Sequence, residues 1–216
     1  MSECRSFREK TSSDDMIIEV DEVELHFNAA VLAAFSPVFK NMFFANFDCV
    51  EKKSRRVKIT DFSLEEMETI LAVINPTPVT EITEDSVWSV IRFADKYEVA
   101  TLHSRAKYFV ESSWLQDTSR FWDCVLLGAN YGWQDVVSAS VQRLKRMCSV
   151  CFKRCTEQTF SESAVVSIAD ISISKIEKLV AALASFIRKQ ENTSGHGEGN
   201  CNCATGNAFM ASQRSQ

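Results

Sequence analysis

Leu25-His-Phe-Asn-Ala-Ala-Val-Leu-Ala-Ala-Phe-Ser-Pro-Val-Phe-Lys-Asn-Met-Phe43 is the stretch that decides how this chain folds. It opens with a strand-like alternation, Leu25 and Phe27 apolar around His26. Val31, Leu32, Phe35, Phe39, Met42 and Phe43 then recur at helical spacing. Ser36-Pro37 is the single interruption. A serine side chain caps a helix start, and proline suits the first helical position, where no backbone donor is needed. The spacing therefore predicts two short helices, one ending near Phe35 and the next beginning at Pro37. A helical hairpin this apolar has to be buried.

Working outward, Asp15 leads into Met16-Ile-Ile-Glu-Val20, and Asp21-Glu22 separates that run from the alternating Val23-Glu-Leu-His-Phe27, which predicts a β-hairpin. Ala45 to Arg56 reads as a polar connection, and Val57-Lys-Ile59 as a third short strand. Ser63 with Glu66 is a capping box, and Leu64, Met67, Ile70, Leu71 and Ile74 share one face of the helix it starts. Asn75-Pro76-Thr-Pro78 stops that helix. Thr83 is the expected cap of the next helix, with Val87, Val90, Ile91 and Ala94 inward. A further helix carries Leu102, Ala106, Phe109 and Val110. Residues 1–13, with only Cys4 and Phe7 as anchors, read as a loose leader. The first 113 residues thus predict an α+β unit of three short strands and about five helices.

These blocks in this order resemble the BTB (or POZ) domain. The similarity lies in Asp15-Met-Ile-Ile-Glu-Val20, Val31-Leu-Ala-Ala-Phe-Ser-Pro-Val-Phe39, Val57-Lys-Ile-Thr-Asp61 and Phe93-Ala-Asp-Lys-Tyr97, and covers roughly residues 14–113. It is most like the BTB half of MATH-and-BTB proteins. The resemblance implies an α+β BTB/POZ fold, a small three-stranded sheet flanked by helices, followed by an all-α extension. It also implies a homodimer formed through the helical hairpin, with Val31, Ala34 and Phe35 at the interface, and docking on cullin-3 as the adaptor of a ubiquitin ligase. The docking loop of such adaptors, apolar-any-Glu, matches Cys49-Val50-Glu51, with Phe47 and Tyr97 beside it. An apolar side chain fills a partner pocket and the glutamate pairs at its rim. Many relatives carry a basic residue just after the position of Asn28, where co-repressors are bound; Ala29 stands there, which weighs against a transcriptional co-regulator.

Past Ser113, Trp122, Val125, Leu126 and Ala129 form a helical stripe closed by Tyr131-Gly132. Val137, Val141, Leu144, Cys148, Cys151 and Cys155 follow at steps of three and four, so those cysteines extend an apolar helix face and are not expected to ligate a metal. Arg143, Lys145, Arg146, Lys153 and Arg154 flank it as a solvated face. Ser174 with Glu177 opens another helix. The expected divisions are a BTB/POZ domain over 14–113, a helical extension over 114–189 and a disordered tail over 190–216, where His196, Cys201 and Cys203 lie.

With 216 residues, 45% of them apolar, the chain has ample material for a core, and its net charge of -5 argues against general nucleic-acid binding. There is no signal-like or membrane-spanning run, so eight cysteines read as reduced thiols of a protein placed in the cytoplasm or nucleus. No phosphate-cradling glycine loop, nucleophile elbow or His-Glu-x-x-His is present, and the three histidines fall far apart. The sequence therefore predicts an interaction protein, not an enzyme, with no cofactor and no metal. A self-assembly scaffold built on the same dimer and, third, a transcriptional co-regulator are the competing classes. The protein substrate of an adaptor is not encoded in any motif here; its recruitment would fall to the helical region or to a partner.

Overall fold

The structure, a computed structural model, describes residues 6–44, 50–76 and 79–145. Strands β1 (Met16–Val20) and β2 (Val23–Phe27) pair antiparallel through a two-residue turn. Asp21 and Glu22 both adopt the left-handed region, φ 48° and 64°. That conformation matches the twist of the flanking strands, so the hairpin forms without the glycine that would make it easier. Strand β3 (Arg56–Lys58) lies parallel to β1, giving the order β2-β1-β3. It begins one residue before the expected Val57. Met16, Ile18 and Val20 point inward. On the opposite face Glu19 pairs with Lys58 at 3.0 Å, and Arg56 reaches Glu24 at 2.6 Å.

Helices α1 (Ala29–Phe35) and α2 (Pro37–Phe44) divide where Ser36-Pro37 requires. Asn28 caps α1 by accepting from the Val31 amide at 3.1 Å. Between α2 and β3 the structure adds a short helix, α3 (Val50–Ser54), inside the segment read as a polar connection. It buries none of its residues, so it left no apolar period to read. Helix α4 (Leu64–Ile74) starts at the Ser63–Glu66 capping box, both arms of which are made. Helix α5 (Val87–Lys96) starts one turn later than the Thr83 cap predicted. Thr83 instead opens a turn: its amide donates to Ser86 Oγ at 2.8 Å, and its carbonyl accepts from the Ser86 and Val87 amides. Helix α6 (Ala100–Ser112) follows, so six helices, not five, accompany the sheet among the described residues. Arg105 on α6 donates to the carbonyls of Val73 and Thr80, holding both ends of the connection after α4.

The leader is not loose where it is described. Phe7 is 2% exposed, its ring 5.8 Å from that of Phe27, and its carbonyl accepts from the His26 amide at 2.7 Å. Arg8 forms an ion pair with Glu68. One aromatic side chain tied to a strand edge outweighs the polar character of its neighbours.

The chain divides into two compact units between Phe109 and Val110. In the second, two single-turn 3-10 helices (Trp114–Gln116 and Thr118–Arg120) precede α7 (Phe121–Asn130) and α8 (Gln134–Lys145). Gly132, at φ 72°, supplies the left-handed residue between α7 and α8. Helix α7 buries Phe121 and everything from Asp123 to Gly128, whereas the stripe residues Trp122 and Ala129 are half-buried. In α8 the buried positions are Val136 and Ser140, one residue ahead of the predicted Val137 and Val141. Arg143 is not a solvated cation: it donates to the carbonyls of Leu115 and Gln116, which the end of a 3-10 turn leaves free. The cysteine run from Cys148, the Ser174–Glu177 box and the tail lie outside the described residues.

Candidate docking surface

Ser36 fixes the hairpin to α5. Its hydroxyl donates to the Tyr97 carbonyl at 2.6 Å and accepts from the Phe39 amide at 3.1 Å. Beneath that joint, Phe39 stacks on Tyr97 with ring centroids 4.7 Å apart, and Phe93 lies 4.5 Å from Tyr97. Phe43 and Phe62 extend the cluster. Tyr97, a predicted docking residue, is consequently a member of the core at 7% exposure, with Lys96 Nζ 5.5 Å from its ring. Burial, helped by the Asp61 charge, pushes its phenol up to about 12. It positions the end of α2 and offers a partner only an edge.

Two of the four large exposed apolar side chains among the described residues lie just beyond; the others are Val79 and Tyr108. Helix α2 ends on Phe44, 45% exposed, and Val50 on α3 is 76% exposed. The Arg55 guanidinium sits 5.1 Å from the Phe44 ring centroid, within cation–π range. Arg55 itself takes φ 53°, a left-handed turn that ends α3 and feeds β3, while its amide donates to the Glu51 carbonyl at 2.8 Å. Val50 and Glu51 thus sit on a short helix instead of the loop the motif implied. Glu51 is half-buried. Phe47 and Cys49 lie outside the described residues. Phe44 and Arg55 escaped the sequence reading because an aromatic at a helix end and an arginine in a basic run resemble core and solvent respectively.

On α1, Leu32 turns inward at full burial, whereas Val31 and Phe35 are half-buried and Ala34 is exposed. The helical period separates the two faces. Of the histidines, His103 on α6 is half-buried, and desolvation lowers its pKa. Among the described residues no group of three His, Cys, Asp or Glu side chains could hold a metal ion, and no helix is long and apolar enough to cross a membrane.

Compared with known families, residues 4–113 match the model of the BTB/POZ domain. The chain belongs to the BTB/POZ domain family. Two relatives from Caenorhabditis elegans are "BTB and MATH domain-containing protein 38", 36% identical over 115 residues, and "BTB and MATH domain-containing protein 36", 26% identical over 143 residues. The first alignment covers 52% of this chain and 29% of the relative; the second covers 65% and 38%. The chain therefore spans well under half the length of these relatives. Among solved structures, the BTB domain of human gigaxonin is similar at 23% identity and a TM-score of 0.38, over 48% of this chain and 80% of that one. The BTB domain of zebrafish PATZ1 is similar at 17% identity and a TM-score of 0.37, over 46% and 77%. The BTB/POZ unit is a protein–protein interaction module, and the family match reaches back to residue 4, which includes the buried Phe7.

Proposed function

We propose that this BTB/POZ chain is a dimeric adaptor that docks on cullin-3 through Phe44, Val50 and Glu51, with Phe47, Cys49 and the edge of Tyr97 alongside. The observation that carries this reading is Val50, a β-branched side chain held 76% exposed on α3, the short helix that packs against α2 and its 45% exposed terminal Phe44. Exposed apolar groups grouped this way mark an interaction site, and a glutamate at the rim supplies orientation. The names of the worm relatives, which pair BTB with MATH, support the adaptor class. The outward face of α1, built from Val31, Ala34 and Phe35, is the dimer surface; an isologous pairing sets the same patch against itself.

The test is a pull-down of cullin-3 by the wild-type chain and by a Val50→Asp, Glu51→Arg variant. Binding by the wild type and its loss in the variant support the reading. Failure of the wild type to bind ends the adaptor reading and leaves the self-assembly scaffold and the transcriptional co-regulator. Sedimentation of the wild type and of Ala34→Arg tests the dimer: a monomeric wild type at micromolar concentration removes it.

A further inference from the structure

Ser54 closes the one turn of α3. Its hydroxyl donates to the Val50 carbonyl at 2.8 Å and accepts from the Arg56 amide at 3.3 Å. Because α3 buries none of its five residues, that hydroxyl and the Arg55 amide bond to Glu51 hold the turn without help from core packing. A single helical turn with no fully buried side chain opens at low cost. Ser54 is itself exposed and stands in Glu51-Lys-Lys-Ser-Arg-Arg56, with two cations on either side.

We propose that Ser54 is a phosphorylation site for a basophilic protein kinase, and that the phosphate opens α3 and weakens docking at Val50 and Glu51. The regulatory half rests on the docking reading; the site itself does not. Four flanking cations suit an acidic substrate groove, and the weakly held turn lets the segment extend into it. In the transfer, Ser54 Oγ attacks the γ-phosphorus of ATP. The new O–P ester bond forms as the β–γ anhydride bond breaks, ADP leaves with the electron pair, and the hydroxyl proton passes to the kinase's general base.

The ester oxygen then has no hydrogen, so the 2.8 Å contact with the Val50 carbonyl becomes one between two acceptors. The dianion also lies at the carbonyl end of a helix, the wrong sign for its dipole. Arg56 exchanges its present partners, Glu24 and Glu19, for the phosphate, which pulls the start of β3 with it. Both changes unwind the turn that displays Val50.

The experiment treats the full chain with magnesium ATP and the protein kinase C catalytic domain, alongside Ser54→Ala and Ser54→Thr. One phosphate on residue 54, absent from the alanine variant and retained by threonine, is the expected result. Amide exchange over residues 50–56 should then rise about fivefold or more, and cullin-3 binding should fall on the order of tenfold. Labelling elsewhere, or none while a basic control peptide is labelled, overturns the site. Unchanged exchange in the phosphorylated chain overturns the switch. If the unmodified chain does not bind cullin-3, only the docking reading fails; labelling and exchange still decide the rest.

Discussion

Replacing Ser36 by alanine tests the joint between the helical hairpin and α5. The side chain is 1% exposed and serves two groups at once, the Phe39 amide and the Tyr97 carbonyl. Loss of an N-cap acceptor costs about 1 kcal/mol. Leaving a buried carbonyl without its donor adds about 1–3 kcal/mol. Together they predict a loss of about 2–4 kcal/mol, or a melting point lower by roughly 10–25 °C for a unit near 100 residues. Ser63→Ala is the control, since that serine caps α4 at an exposed site and only the cap is lost, about 1 kcal/mol. Hydrogen exchange on peptides from α2 and α5 reads the first unit separately from the tryptophan-rich second. Protection there should fall by about thirtyfold to several hundredfold in Ser36→Ala. A fall no greater than that of the Ser63 variant would refute the view that Ser36 locks two elements.

Glu22→Gly should stabilise the first unit by about 1 kcal/mol, because a left-handed φ of 64° strains any residue with a Cβ; the measurement is the urea midpoint at constant m. Gly128→Ala should destabilise the second unit by about 1–3 kcal/mol, since the added Cβ would lie 2.6 Å from Val137 Cγ2 and 3.1 Å from the Trp133 carbonyl; tryptophan fluorescence during denaturation reads it. Tyr97 makes stability fall in alkali. Its folded pKa of about 12 lies above the ordinary phenol value of 10.0, so its contribution is complete below pH 10 and is lost as pH rises through 12. Tyr97→Phe should remove that part of the decline, followed by denaturation between pH 9 and 12, and an unaltered profile would show the phenol to be solvated.

What the sequence made legible was whatever had a period or a cap. The hairpin break at Ser36-Pro37, the Ser63–Glu66 box and the inward Leu32 and Phe39 follow from local rules that tertiary packing did not override. Three features had no such signal. Helix α3 has no buried face, so nothing in Val50-Glu-Lys-Lys-Ser54 alternates. Phe7 is a single apolar residue in polar surroundings, and only the sheet edge that receives it gives it meaning. Tyr97 lay in a recognisable block, yet the block could not say whether its ring faced a partner or the Phe39 stack; the 4.7 Å contact decides that. In the second unit a one-residue rotation of α8, about 100° around its axis, buries Val136 and Ser140 and leaves Val137 and Val141 half-buried.

The strand order also sets a sequence of events in time. The central strand β1 meets β2 across a two-residue turn, a step of microseconds, but meets β3 only after α1, α2 and α3 have been threaded between them. Parallel pairing across so long a connection carries the loop-closure entropy of the whole hairpin. During synthesis the outer edge of β1 therefore remains open until the chain reaches Arg56. Lys58 and Arg56, which later pair with Glu19, arrive as the charges that close it.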